Sequence, residues 1–394
     1  MPHGNQFRHQ PYPTQPVVPA RLHTLQTAPL IPGSAADLHA LHGFDQVILV
    51  HGTFLGDHPF GISATLQSLA EDTPAPAATA LRATSELLIR TTRPILSRSV
   101  RDLGNYTTEF RDAFQTLTGE DPQIELLHPT WSSENHHFAR ADLAVRLLHR
   151  LILKPPAQGR RCLLWGHSHA GNAFALLSNL LAGGPAVRQF FEAAGNRSET
   201  HWQVARTALA DAPQPHPLAT AIAAVTFGTP VRYGWDPSGL SSLLHVSFHR
   251  PWKPDQPEIA RPLFPLYSPV DVATARWGDW VQTFAIADTD LNTGRTAELN
   301  RQLAELLENG LTESPGDADT TLPLSRRLRR LCSHWKHGTR CHTDGINLLV
   351  DYSPSGKYTF PAIPIEVAVL GHGVATSVHW LPAHLQLVLN ALHS

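Results

Sequence analysis

LLWGHSHAGNAFALLSNLL, residues 163–181, runs from an apolar segment through a turn of small residues into a second apolar segment with helical character. The run Arg161–Trp165 fits a strand buried on both faces of a parallel sheet, and Ala170–Leu181 fits a helix packed beside it. Between them stands Gly166-His167-Ser168-His169-Ala170-Gly171. This is the strand–turn–helix setting of a nucleophile elbow, whose bend must be sharp enough to lift Ser168 Oγ clear of the backbone. Bulk two positions either side would clash with the neighbouring strand and helix; Gly166 and Ala170 avoid it, although Ala170 replaces the commoner glycine. The bland alternative is a turn in which Ser168 merely caps the helix; the flanks favour the elbow.

A serine in this position needs a base from another loop, because neighbours at i±1 diverge from the tip of the turn. His167 and His169 are therefore read as lining or packing residues, while the His169 N–H, at a helix start, is aimed where an oxyanion would form. The second oxyanion donor is expected after an early strand. Gln46–Val50 is such a strand, and His51-Gly52-Thr53-Phe54 follows it, giving the Thr53 N–H as candidate and Phe54 as fallback. The base is expected after the last strand: Ile365–Leu370 reads as that strand, Gly371-His372-Gly373 as its loop, and 380–393 as a closing amphipathic helix. His372 is thus the candidate base, with His379 and His384 as competitors on or beside that helix. The acid should lie between Ser168 and His372. Asp271, after the apolar run in PLFPLYSPVDVATA, is preferred to Asp351 at the end of INLLVD; Asp255 and Asp279 are further options.

Further strand candidates are Ile124–Leu127, Ala221–Phe227, Leu243–Phe248 and Ile346–Asp351, and a helix is expected in the second half of 131–153. Strands alternating with helices predict an α/β fold with a mostly parallel sheet covered on both faces. Residues 1–42, rich in Pro, His and Gln, read as a partly disordered arm before a domain spanning 43–394. That domain would carry a helical insertion at about 76–119, a mixed one at 184–217 and an irregular one at about 250–345.

The chain has 394 residues, 42% of them apolar, 16% charged and a formal net charge of −2. This is ample for a large core and lacks the basic footprint of a nucleic-acid-binding protein. No run of about 18 apolar residues suggests a membrane span, and the N-terminal residues do not resemble a signal peptide, so a cytoplasmic location is expected. Three cysteines, Cys162, Cys332 and Cys341, make no disulfide framework. The cluster CSHWKHGTRCH, residues 332–342, fits no common zinc spacing, and no metal or other cofactor is expected.

Taken together, VILVHGTF (47–54), WGHSHAGN (165–172), VTFGTPVRYGW (225–235) and LGHGVATSVHWL (370–381) resemble lipase-like α/β-hydrolases. WSSENHHFAR (131–140), GDWVQ (278–282) and YSPVDVATA (267–275) are similar to segments of poorly characterised bacterial members. The resemblance implies an α/β-hydrolase fold and hydrolysis of a small-molecule acyl ester, lipids included, through an acyl-enzyme. It also adds weight to Asp271 as the acid. Two other classes stay open: an acyltransferase on the same fold, and a catalytically silent binding module. The oligomeric state is not legible.

Overall fold

The computed structural model describes residues 7–9, 20–53, 104–250, 270–271, 274–286, 290, 296–308, 341–342, 344–353 and 364–393. Seven strands form one sheet: β1 (Arg21–Leu25), β2 (Phe44–Val50), β3 (Glu125–Leu127), β4 (Arg161–His167), β5 (Ile222–Phe227), β6 (Ser242–Phe248) and β7 (Ile346–Tyr352). Their spatial order is β1-β7-β6-β5-β4-β2-β3, and every adjacent pair is parallel. The fold is therefore α/β with a wholly parallel sheet among the described residues.

Parallel strands are buried on both faces, and period-two alternation sends neighbouring side chains to opposite layers. Ile48, Val50, Cys162, Leu164, Ile222 and Ala224 join the core on one face. There they meet α3 (His137–Leu153), α4 (Ala170–Ala182), α5 (Pro185–Ala193), α6 (Thr200–Ala210) and α8 (Ala297–Leu307). Val47, Leu49, Leu163, Trp165, Ala223 and Val225 point to the other face, against α2 (Thr108–Leu117) and α9 (Leu381–His393). Two further helices are short: α1 (Asp37–Ala40) and α7 (Trp280–Ile286). Thr107 caps α2 by accepting the Phe110 N–H at 3.2 Å.

The structure refines the readings of the N-terminal and middle segments and corrects one strand. Part of the Pro-rich arm, residues 1–42, is built into the fold. Its residues Arg21–Leu25 form β1 alongside β7, and Phe7 is buried, stacked on Phe190 at 5.6 Å with its carbonyl accepting the Gly234 N–H at 2.9 Å. The expected strand Ile365–Leu370 is instead a run of tight helical turns, with Val369 and Leu370 left-handed at φ 51° and 57°. The physical reason is visible in the sheet: the edge of β7, where a strand following it in sequence would pair, is already occupied by β1. The mixed stretch 184–217 contains the two helices α5 and α6. Of the helical insertion expected at 76–119, the part described is α2 and the turn before it; 76–103 lies outside the described residues, as do 309–340 with Cys332.

The sheet has one topological switch. From β2 the chain builds β3 outward on one side, while β4, β5, β6 and β7 extend on the other. At such a point the loops leaving the carboxyl ends of adjacent strands diverge and open a crevice. The segments leaving β2 and β4, His51–Thr53 and Ser168–His169, meet there.

Candidate active site

The turn after β4 is held by its neighbours. Ser168 is left-handed, φ 57°, a conformation that costs a non-glycine residue free energy and persists only where surroundings impose it. Its N–H donates to the Phe227 carbonyl at 2.8 Å, and its carbonyl accepts from Thr229 Oγ1 at 2.8 Å. Both clamps come from the end of β5, the strand paired with β4. Gly52, leaving β2, packs directly on the serine: a Cβ there would stand 2.5 Å from Ser168 Cβ and 3.1 Å from Oγ. No side chain fits, so glycine is required by close approach.

His372 lies over the same turn. A Cβ at Gly228 would be 3.3 Å from both its Nδ1 and Cε1, and its ring centroid is 4.3 Å from that of His167. His167 Nε2 donates to the His372 carbonyl at 3.2 Å, so the residue before the serine anchors the loop that carries the imidazole. Burial first, and then His372 beside it, push the His167 pKa well below its ordinary value, so it stays neutral.

The carboxylate paired with His372 is Asp279, at 2.6 Å between Nδ1 and Oδ2, and it is 2% exposed. Asp279 precedes α7, and its Oδ1 accepts the Gln282 N–H at 2.8 Å, so one carboxylate caps the helix and orients the imidazole. The Asp279 N–H donates to the Phe248 carbonyl at 3.2 Å, which places this carboxylate at the end of β6. The expectation for Asp271 is thereby corrected: Asp271 pairs with Arg276, five residues on, at 3.0 Å. Asp351 pairs with Arg250 at 2.9 Å, and Asp255 lies outside the described residues. A sequence signal for Asp279 existed in the preceding Gly278. This residue is left-handed, φ 99°, and packs so tightly on the Phe248 carbonyl that a Cβ would collide with it.

The two candidate oxyanion donors lie on the segments that leave β4 and β2. His169 opens α4, and Thr53 ends the segment after β2 and is buried; Phe54 lies outside the described residues. The Trp131 indole N–H donates to the His51 carbonyl at 3.1 Å and steadies this segment. The competitors His379 and His384 sit elsewhere: His379 in the turn before α9, and His384 inside α9, bonded to Tyr352 at 2.8 Å.

Sequence reasoning missed a buried ionic network directly behind His169. Arg140 Nη1 meets His169 Nδ1 at 3.3 Å, and Asn172 Nδ2 meets the same nitrogen at 3.0 Å. A guanidinium only donates, so Nδ1 accepts and the His169 proton sits on Nε2. Burial, then Arg140, push its pKa well below the ordinary value, which keeps it out of base chemistry. Arg140 also donates to Tyr233 Oη at 2.7 Å and to Asn135 at 3.0 Å, and pairs with Asp290 at 2.5 Å. Arg232 pairs with Asp290 at 3.5 Å and with Glu308. His137 Nε2 lies 3.3 and 3.2 Å from the Asp290 and Glu308 oxygens, so His137, Asp290 and Glu308 bring three ligand-type atoms together. Those oxygens already face two guanidinium groups. Burial alone would raise the Asp290 pKa, but Arg140 and Arg232, with His137, hold it well below the usual carboxylate range. The chemistry of this set is that of paired charges, with two cations and two anions balanced in the interior.

No family model matches the chain, and no curated protein matches it. Among solved structures, an alcohol dehydrogenase from an archaeal halo-thermophilic Red Sea brine pool is aligned over 86% of this chain at 11% identity and a TM-score of 0.22. The chain spans 66% of that protein's length, and at that score the likeness carries no argument about fold or chemistry.

Proposed function

We propose that this protein is a serine hydrolase of the α/β-hydrolase fold that cleaves a carboxylic ester through Ser168, His372 and Asp279. The observation that carries the reading is the 2.6 Å bond from His372 Nδ1 to the buried Asp279 carboxylate, made beside a left-handed serine at a strand–helix bend. With its Nδ1 proton held by Asp279, His372 presents the bare Nε2 that a general base needs. His372 then takes the Ser168 proton as Oγ attacks the acyl carbonyl. The N–H groups of His169 and Thr53 receive the oxyanion, each worth about 3 kcal/mol of barrier. The imidazolium, stabilised by Asp279, gives its proton to the leaving alcohol, and water releases the acyl group by the reverse route. The carboxylate beside His372 weighs against a silent binding module, for which an oriented imidazole has no use.

The test is labelling with a fluorophosphonate. The wild type should be modified at Ser168 and the Ser168→Ala variant should not. Labelling of both proteins, or of neither, defeats the proposal. A series of nitrophenyl esters of increasing acyl length then reads the acyl pocket.

A further inference from the structure

Asp279 and Ser168 are joined by a chain of hydrogen bonds that bypasses His372. The Gln282 N–H donates to Asp279 Oδ1 at 2.8 Å. Its side-chain Nε2 donates to the Thr229 carbonyl at 2.9 Å and to Ser247 Oγ at 3.1 Å. Thr229 Oγ1 in turn donates to the Ser168 carbonyl at 2.8 Å. Gln282 is fully buried, and its Oε1 has no hydrogen-bond partner among the described residues. A buried acceptor left unpaired costs free energy that an apolar side chain of similar shape would not incur. The protein thus keeps an amide here for its donor end alone, and such departures from full pairing concentrate where function requires them.

We infer that Gln282 is a positioning residue: with Thr229 it locks the acid-bearing turn to the nucleophile bend, fixing the span that His372 must bridge. The inference rests on the hydrolase reading and adds to it a residue that touches neither substrate nor the reacting atoms. The proposed proton route through His372 runs between the same two residues. The route through His372 moves a proton and must stay free to change; the route through Gln282 and Thr229 carries no chemistry and sets the distance. A displacement of about 1 Å at reacting atoms can cost about 100-fold in rate, so a strut of three short bonds at this place is matched to the tolerance of the reaction.

The experiment compares Gln282→Leu, Thr229→Val, Thr229→Ser and the double variant Gln282→Leu/Thr229→Val, with rates expressed per site titrated by fluorophosphonate. Titration removes any loss that comes from misfolded protein. Each of the two disrupting variants should lower kcat by about 10- to 100-fold with KM nearly unchanged. The double variant should be no worse than the poorer single one, because both break the same route. Thr229→Ser keeps the hydroxyl donor and should restore most of the rate lost in Thr229→Val. A second arm needs no substrate. The His372 Nδ1–H proton resonance should shift or broaden in Gln282→Leu, and in Thr229→Val if the leucine variant does not fold. Unchanged kcat per titrated site, or an unchanged His372 resonance, overturns the inference. A wild type that the fluorophosphonate does not touch would instead defeat the hydrolase reading, and the resonance would still decide whether Gln282 holds the Asp279–His372 pair.

Discussion

Replacing Asp279 by Asn separates orientation from charge. Both oxygens of this carboxylate accept: Oδ2 from His372 Nδ1 at 2.6 Å and Oδ1 from the Gln282 N–H at 2.8 Å. Asparagine has one acceptor for two donors, so one of them must face an NH2. If the amide oxygen keeps the helix cap, the NH2 meets Nδ1 and drives the His372 proton to Nε2, where it blocks proton transfer from Ser168. A tautomer reversal of this kind lowers kcat by about 10⁴-fold in the Ser-His-Asp template, about 5 kcal/mol of barrier. If the oxygen instead turns to His372, activity survives and the cap is lost, at about 1 kcal/mol of stability. The backbone N–H is fixed while the imidazole can change tautomer at little cost, so the first outcome is expected. The assay is nitrophenyl ester hydrolysis with thermal melting in parallel, and Asp271→Asn, at an exposed pair with Arg276, serves as the control. Asp279→Asn should lose about 10³- to 10⁴-fold in kcat with little change in Tm, and Asp271→Asn should stay within about twofold. An Asp279→Asn variant within tenfold of wild type, or an Asp271→Asn variant equally impaired, would refute the reasoning.

Gly52→Ala places a methyl 2.5 Å from Ser168 Cβ, which must push the serine or the Thr53 N–H away; ester hydrolysis should drop at least about tenfold while the fold is retained. Normal hydrolysis by that variant would show that the segment after β2 does not approach the nucleophile as closely as described. Acid should destabilise the protein from about pH 6.5 downward, before its carboxylates titrate, because burial pushes the pKa of His9 down to about 4 and those of His342 and His384 down to about 3. Their folded pKa values lie below the unfolded 6.5, so the unfolded chain binds protons first and stability falls as pH drops from 6.5 toward 3–4. At pH 5.5 each histidine removes about 1 kcal/mol, together a few kcal/mol of a net stability of about 5–15. Denaturant melts at pH 7.5 and 5.5 read this directly, and equal midpoints would contradict it.

The strand–turn–helix bend could be read from Leu163–Leu181 because its requirements are local: an apolar strand, small residues beside a strained serine, and a helix start are set by sterics within a dozen residues. The strands β2, β4, β5, β6 and β7 were legible for a related reason, since burial on both faces demands continuous apolar runs. The same rule misled at Ile365–Leu370, because apolarity says that a segment is buried and not whether a sheet edge is free to pair it; β1 had taken that edge from the far end of the chain. That His372 lies near the Ser168 turn was legible from its place after the last apolar run and its flanking glycines. Its carboxylate partner was not, because an Asp–His pair 93 residues apart depends on where two loops end in space, and Asp271 and Asp279 differ little as text. The Arg140–Asp290–Arg232–Glu308 network and the Gln282–Thr229 strut share that character. Their members come from separate elements, and what selects them is the demand that every buried charge and amide find a partner, a condition only the packed chain can impose.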